Sequence, residues 1–208
     1  MGVSMLTLGV LASTNGTDID AVARAIKTGK LKGKARFGVL ISNKRTAGAL
    51  SRAKRKGIPT TFVDPAGTSR EEYDRAIHHA LKERKVDLVL LIGYMRYLSP
   101  WFVKQWDGRI MNIHPSLLPA FAGGMDVNVH EAVLARGCKV TGCTLHFVDE
   151  GADTGPIIIQ RVIDVKPRET AASLKKRVQK EEGEALVQGI RLFAQGKLKI
   201  KAGTVTVS

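Results

Sequence analysis

Apolar, β-branched runs alternate with amphipathic stretches through the first half of the chain. Residues 4–11 read as a strand, and residues 19–30 as a helix capped by Thr17 or Asp18. A second strand over 37–42 precedes a helix over 47–56 that stops at Gly57, before Pro59. Residues 60–63 form a short strand. Residues 69–85 form a longer helix, with Ser69 as its cap and Glu71 and Glu72 in its first turn. The run 88–92 is almost wholly apolar, as a strand buried on both faces would be, and 109–113 is another strand. This alternation predicts an α/β fold of βαβ units around a mainly parallel sheet.

The last third has a different rhythm. Residues 129–136 read as a short helix, and 141–148 and 156–165 as two strands joined by an acidic loop. Residues 170–195 carry a helical apolar stripe of Leu174, Val178, Ala185, Leu186 and Ile190, which Gly183 and Gly189 threaten to interrupt. Residues 197–206 read as a terminal β extension. No repeat or low-complexity linker divides the chain, so 1–208 is expected to be a single domain. No apolar run reaches the roughly 18 residues that span a bilayer, so no membrane partner is expected. The apolar start lacks a basic segment and a small-residue cleavage site, and is expected to be a first strand rather than a signal peptide.

Composition changes this picture little, but charge does. Of the 208 residues 44% are hydrophobic, enough for a proper core. Cys138 and Cys143 form one C-x4-C pair, neither a disulfide framework nor a zinc site, and are expected to be reduced thiols in a cytoplasmic protein. Lys and Arg outnumber Asp and Glu by 33 to 19, a net charge of +14 that invites polyanions. The basic residues are scattered without interleaved aromatics, so single-stranded nucleic acid finds no stacking platform, and solvated helix faces are the expected reading.

Candidate chemistry gathers at the carboxyl ends of the predicted strands, where ligands bind in open parallel sheets. The first strand runs into Ala12-Ser13-Thr14-Asn15-Gly16-Thr17-Asp18 and then a helix, which suits a phosphate or serves as a plain capping turn. The run ending at Ile92 continues into Gly93-Tyr94-Met95-Arg96-Tyr97-Leu98-Ser99-Pro100, a loop able to hold a flat heteroaromatic ring or simply to cover the core. Asn112-Ile113-His114-Pro115-Ser116-Leu117-Leu118-Pro119 places an amide and an imidazole two apart, on one side of an extended backbone, before two prolines stiffen the exit. The acidic loop Asp149-Glu150-Gly151-Ala152-Asp153-Thr154-Gly155-Pro156 is the best source of a carboxylate for that imidazole. His130 and His146 are further candidates, with His146 read as a satisfied core histidine; His78 and His79 read as surface residues. No metal constellation is present in the pattern.

Taken together, these motifs resemble the phosphoribosylglycinamide formyltransferase family, the folate-dependent glycinamide ribonucleotide transformylases of purine synthesis. The resemblance runs from Leu11 to about Lys199. It is strongest in Asn112–Pro119 and in His146-Phe147-Val148 with Asp153-Thr154-Gly155-Pro156, and the Gly93–Pro100 loop narrows it to the glycinamide branch. It implies a Rossmann-like, mainly parallel twisted sheet with helices on both faces, and a C-terminal portion mixed with antiparallel strands and a long helix. It implies a nucleotide-binding half over 1–107 and a folate-binding, catalytic half over 108–208. Carried over by position, Asn112, His114 and Asp153 are the implied catalytic trio. Ser13, Asn15, Gly16, Thr17, Asp18, Gln179 and Glu182 are the implied ribonucleotide contacts. Arg70, Met95, Arg96, Tyr97, Leu98 and Asn112, with Asp149, Glu150, Gly151, Ala152 and Asp153, are the implied folate contacts. The substrates would be 10-formyltetrahydrofolate and 5-phosphoribosylglycinamide, with no metal, in a monomer or homodimer. The rival within the same chemistry is 10-formyltetrahydrofolate hydrolase, and the rival outside it is a basic nucleic-acid-binding protein. The chain departs from the family at Thr14, where glycine is usual, and at Asp18, where asparagine is usual. It also departs over 123–129, which is longer than the common form, and at Asn128, where histidine is frequent.

Overall fold

A computed structural model of the chain describes residues 5–123 and 128–208. The strands are β1 (Leu6–Leu11), β2 (Ala35–Ser42), β3 (Thr60–Phe62), β4 (Leu88–Leu91), β5 (Ile110–His114), β6 (Val140–Phe147), β7 (Ile157–Asp164), β8 (Leu198–Lys201) and β9 (Thr204–Val207). The helices are α1 (Ile19–Thr28), α2 (Gly48–Lys54), α3 (Arg70–Glu83), α4 (Pro100–Gln105), α5 (Val129–Ala135) and α6 (Ala171–Ala194). Seven strands form one sheet in the order β3-β2-β1-β4-β5-β6-β7. The strands from β3 through β5 are parallel, β6 and β7 run antiparallel, and β8 pairs with β9 in a separate hairpin. The expected α/β architecture with a mixed C-terminal portion is therefore the observed one. Position 4, the expected start of the first strand, lies outside the described residues.

Alternation along the central strands assigns side chains to two cores. Leu88 and Leu90 pack with Leu8, Val10, Leu40 and Met111 under α1, α2, α5 and α6. Val89 and Leu91 point the other way, with Val39, Ile41 and Ile110, under α3 and α4. Burial on both faces is why β4 reads as a continuous apolar run. Ser69 caps α3 as expected, and together with Glu72 it forms a capping box. The sequence reading left out α4; its signals are Ser99, whose hydroxyl accepts from the Phe102 N–H, and Pro100 in the first turn.

Helix α6 is the expected long helix and runs unbroken through both of its glycines. Tight packing explains them. A Cβ at Gly183 would stand 2.6 Å from the Ala21 Cβ, and one at Gly189 would collide with the Leu145 side chain. The two glycines let α6 lie against α1 and β6, and those contacts offset the weaker helix propensity of glycine, roughly 1 kcal/mol per residue.

Between β1 and β4 the strand order reverses, which opens a crevice at their carboxyl ends. The loops there are joined: the Ser13 N–H donates to the Gly93 carbonyl at 2.9 Å, and the Met95 N–H donates to Ser13 Oγ at 2.8 Å. Among the described residues no helix is long and apolar enough to cross a membrane.

Candidate active site

Strand β5 ends in the crevice and carries Asn112 and His114 on one side of its pleat. The antiparallel register sets Asn112 directly opposite His146 of β6. Asp153 arrives from the β6–β7 loop with φ +57°, a left-handed conformation uncommon for a non-glycine residue. Its Oδ2 lies 3.2 Å from His114 Nδ1 and accepts the Gly123 N–H at 3.0 Å, while its Oδ1 accepts from Asn112 Nδ2 at 3.2 Å. One carboxylate thus bridges the two groups that the strand presents. Behind them, Thr144 of β6 fixes the proline-containing turn: its hydroxyl donates to the Ser116 carbonyl at 2.7 Å and accepts the Leu118 N–H at 3.0 Å.

The hydrogen-bond partners assign the histidines. His146 Nδ1 lies 2.8 Å from the Phe147 carbonyl and must donate, which leaves Nε2 to accept from Asn112 Nδ2 at 3.1 Å. His146 is buried, as expected of a core histidine, yet it also lines the cavity and orients the Asn112 amide. Both ring nitrogens of His114 face acceptors, Asp153 on one side and the Phe121 carbonyl, 3.1 Å from Nε2, on the other. Burial nevertheless outweighs these attractions and pushes the His114 imidazole below its ordinary range. Burial also pushes the Asp153 carboxyl upward, but the Gly123 N–H, the Asn112 amide and the neighbouring histidines hold it below the usual carboxylate range.

The trio opens into a cavity of about 860 Å³, near the upper end of the range for small-molecule sites. One side of it is lined by Arg70, by Met95, Arg96, Tyr97 and Leu98, and by Asp149, Glu150, Gly151, Ala152 and Asp153. The other side is lined by Asn15, Gly16, Thr17 and Asp18 at the start of α1, and by Gln179 and Glu182 on α6. Every residue implied by the resemblance lines this one space, except Ser13. Ser13 is buried behind the turn, where its hydroxyl donates to Asn43 Oδ1 at 2.6 Å. Among the described residues the N–H groups of Asn15, Gly16 and Thr17 have no protein partner, so the turn before α1 can receive an anion. Thr14, where the resemblance leads one to expect glycine, packs its hydroxyl over Gly93, which has φ +60° and no Cβ to obstruct it.

Three features escaped the sequence reading. Lys175, exposed on α6, also lines the cavity, and the signal was its spacing: 175, 179 and 182 share one side of α6. His78, read as a surface residue, packs against Trp101 and Trp106. Asn128 caps α5, its side chain accepting from the Glu131 N–H, and it too lines the cavity. Most of the longer 123–129 segment lies outside the described residues. No group of three or more His, Cys, Asp or Glu suited to a metal occurs among the described residues.

The chain, a mixed α/β sheet with an Asn–His–Asp cluster at its crevice, matches the formyl transferase family over residues 7–190. It is 39% identical over 196 residues to the phosphoribosylglycinamide formyltransferase of Escherichia coli, covering 94% of this chain and 90% of that one. It superimposes with a TM-score of 0.92 on glycinamide ribonucleotide transformylase 1 from Symbiobacterium toebii, at 39% identity, covering 100% of this chain and 95% of that one. The chain belongs to the formyl transferase family, in its phosphoribosylglycinamide formyltransferase branch. It is also 42% identical over 200 residues to the trifunctional purine biosynthetic protein adenosine-3 of Gallus gallus, covering 95% of this chain but only 19% of that much longer protein. A formyltetrahydrofolate deformylase from Pseudomonas syringae shares the fold at 24% identity and a TM-score of 0.87, covering 98% of this chain and 66% of that one.

Proposed function

We propose that the protein transfers the formyl group of 10-formyltetrahydrofolate to the amine of 5-phosphoribosylglycinamide, a step of purine synthesis. The observation that carries this reading is the Asp153 carboxylate bridging Asn112 and His114 at the junction of the two sides of the cavity. Folate would occupy the side of Arg70, Met95–Leu98 and the acidic loop. The ribonucleotide would occupy the side of the α1 turn, Lys175, Gln179 and Glu182, with its phosphate on the free N–H groups of 15–17.

The chemistry needs a neutral attacking amine, donors for the tetrahedral oxyanion, and a proton route from attacking to leaving nitrogen. In the resting site both N–H bonds of the Asn112 amide are engaged, one by His146 and one by Asp153. A formyl oxygen takes the place of the Asp153 contact, and His146 keeps the amide aimed. One preorganised donor of this kind contributes on the order of 3 kcal/mol to an oxyanion hole. His114 rests with its charge disfavoured by burial, but negative charge on the oxyanion favours the imidazolium, which Asp153 and the Phe121 carbonyl are already placed to receive. His114 then serves as oxyanion partner: it takes the proton of the attacking amine and passes it to the leaving nitrogen, one ring nitrogen exchanging its Phe121 or Asp153 contact for the reacting atoms. In the alternative route, Asp153 accepts the amine proton through water. Neither route requires a covalent intermediate, and alignment of two bound substrates supplies much of the remaining acceleration.

Tetrahydrofolate release, measured with and without 5-phosphoribosylglycinamide, tests the reading. Release that depends on the amine and yields the formylated ribonucleotide is expected. Release of formate at the same rate without the amine would favour the hydrolase, and no turnover of either kind would overturn the assignment.

A further inference from the structure

The acceptor end of the cavity contains two carboxylates that its proposed ligand would oppose. Asp18 and Glu182 are 8% and 6% exposed. Both line the cavity, and among the described residues neither side chain is bonded to another residue. Asp18 occupies the N-cap position of α1, yet its carboxylate does not cap the helix. The close approach of Gly183 to Ala21 brings α6, and Glu182 with it, against the start of α1.

The charged groups around the pair do not neutralise it. Asp20, on α1, is engaged by Arg52 and Lys56. Arg52 also donates to the Asn15 carbonyl at 2.9 Å, so it braces the turn from outside the cavity. On β6, burial pushes the Cys143 thiol up to about 12, and on α5 burial pushes His130 below its ordinary range; both face this region uncharged near neutral pH. Lys175 is the cation that the described residues contribute to this end of the cavity.

We infer that Asp18 is a proton-linked specificity residue, which must carry a proton when the acceptor's phosphate lies on the turn before α1. The inference rests on the proposed acceptor. An ionised Asp18 would set a negative charge beside a phosphate dianion in a poorly solvated corner, with Glu182 adjacent. A protonated Asp18 is neutral and has an O–H to donate to a phosphate oxygen. An asparagine at this position would donate at every pH. Titration properties agree with the geometry: burial, opposed first by Asp18's own backbone N–H and then by Arg52, leaves Asp18 at about 7, and burial and Asp18, opposed by Lys175, raise Glu182 well above the usual carboxylate range. The sign follows. Below pH 7 Asp18 is already protonated and the phosphate binds without further proton exchange at this residue. Above pH 7 each binding event must draw one proton from solvent, and affinity falls up to about tenfold per pH unit.

The test is calorimetry of 5-phosphoribosylglycinamide binding at pH 6 and pH 8, each in two buffers of different ionisation enthalpy. The proton count of the wild-type protein is compared with that of Asp18→Asn, which subtracts proton exchange by the ligand's own amine and phosphate. At pH 8 the wild type is expected to take up close to one more proton than the variant, and at pH 6 the two are expected to agree. Glu182→Gln should leave the onset of uptake near the wild-type pH, because Glu182 is itself raised well above the usual carboxylate range and carries no charge where Asp18 titrates. Binding at pH 8 with equal proton counts in wild type and Asp18→Asn would overturn the inference while leaving the acceptor assignment standing. Absence of binding by wild type and variants at both pH values would overturn the acceptor assignment, and the inference with it.

Discussion

Asp153 Oδ2 lies 3.2 Å from His114 Nδ1, while the other oxygen of the same carboxylate accepts from Asn112. The loop that carries Asp153 holds it at φ +57°, and the Gly123 N–H anchors its Oδ2. Asp153→Asn preserves the shape and one acceptor but removes the charge. The fold should survive and turnover should drop by about 100- to 10,000-fold, the range for loss of an acid–base partner. Steady-state kinetics alongside a thermal melt check this; near-normal turnover would sink the assigned role.

His114→Ala should lower turnover by a similar factor and leave folate affinity largely unchanged. Fluorescence titration with a folate analogue separates the two effects, because the proposed folate side of the cavity is built chiefly from the Met95–Leu98 segment and the acidic loop. A loss of folate affinity as large as the loss of turnover would instead make His114 a binding residue.

Lys175→Met should raise KM for the ribonucleotide by about 10- to 100-fold, the value of one charge-assisted hydrogen bond of roughly 1.5–3 kcal/mol. The effect on kcat should be smaller, since Lys175 lines the acceptor side of the cavity with the α1 turn and, among the described residues, makes no bond to the trio. An unchanged KM would return Lys175 to the solvated face that the sequence suggested.

Gly189→Ala should destabilise the fold by about 1–3 kcal/mol through overpacking against Leu145, even though alanine is the better helix former. Denaturant titration measures this, and a stabilised variant would show that α6 can move off β6 at little cost.

Acid should weaken the fold in two steps. His114 has a folded pKa below its unfolded value of about 6.5, so its contribution is present above that value and is lost as pH falls through the lower folded value. Asp153, at about 2 when folded, contributes above its ordinary 3.8, and that contribution is lost as pH falls towards 2. Asp18 has the opposite sign: its pKa is raised to about 7, so its contribution is lost as pH rises from 3.8 through 7. Asp18→Asn should therefore raise Tm at pH 8 and change it less at pH 5; a larger gain at pH 5 than at pH 8 would contradict the burial of that carboxyl.

Much of this protein is legible without coordinates. The period-two and helical patterns predict the sheet strands and five of the six helices, because a two-sided sheet needs apolar strands and one-sided helices whatever else happens. The spacing of Asn112 and His114 places both on one side of a strand, and the acidic loop after the sixth strand brings the Asp153 carboxylate to them. The helix Pro100–Gln105 was obscured because it is short and its Ser-Pro start also reads as the end of a loop.

Other properties were decided only in three dimensions. His146 could be read as a core histidine from its apolar neighbours, but its register opposite Asn112 makes it the support of that amide. Ser13 fell on the ligand turn in sequence, yet its hydroxyl faces Asn43 and the Met95 N–H, so it joins loops rather than lining the cavity. Gly183 and Gly189 weakened the reading of α6 because helix propensity counts only the local chain, whereas the packing of α1 and β6 against them is a long-range effect. Local patterns determine which residues can form an element and which side each faces. Which buried carboxylates become neighbours, and so what charge Asp18 carries at neutral pH, depends on segments some 160 residues apart in the chain. Only the folded sheet brings their electrostatics together.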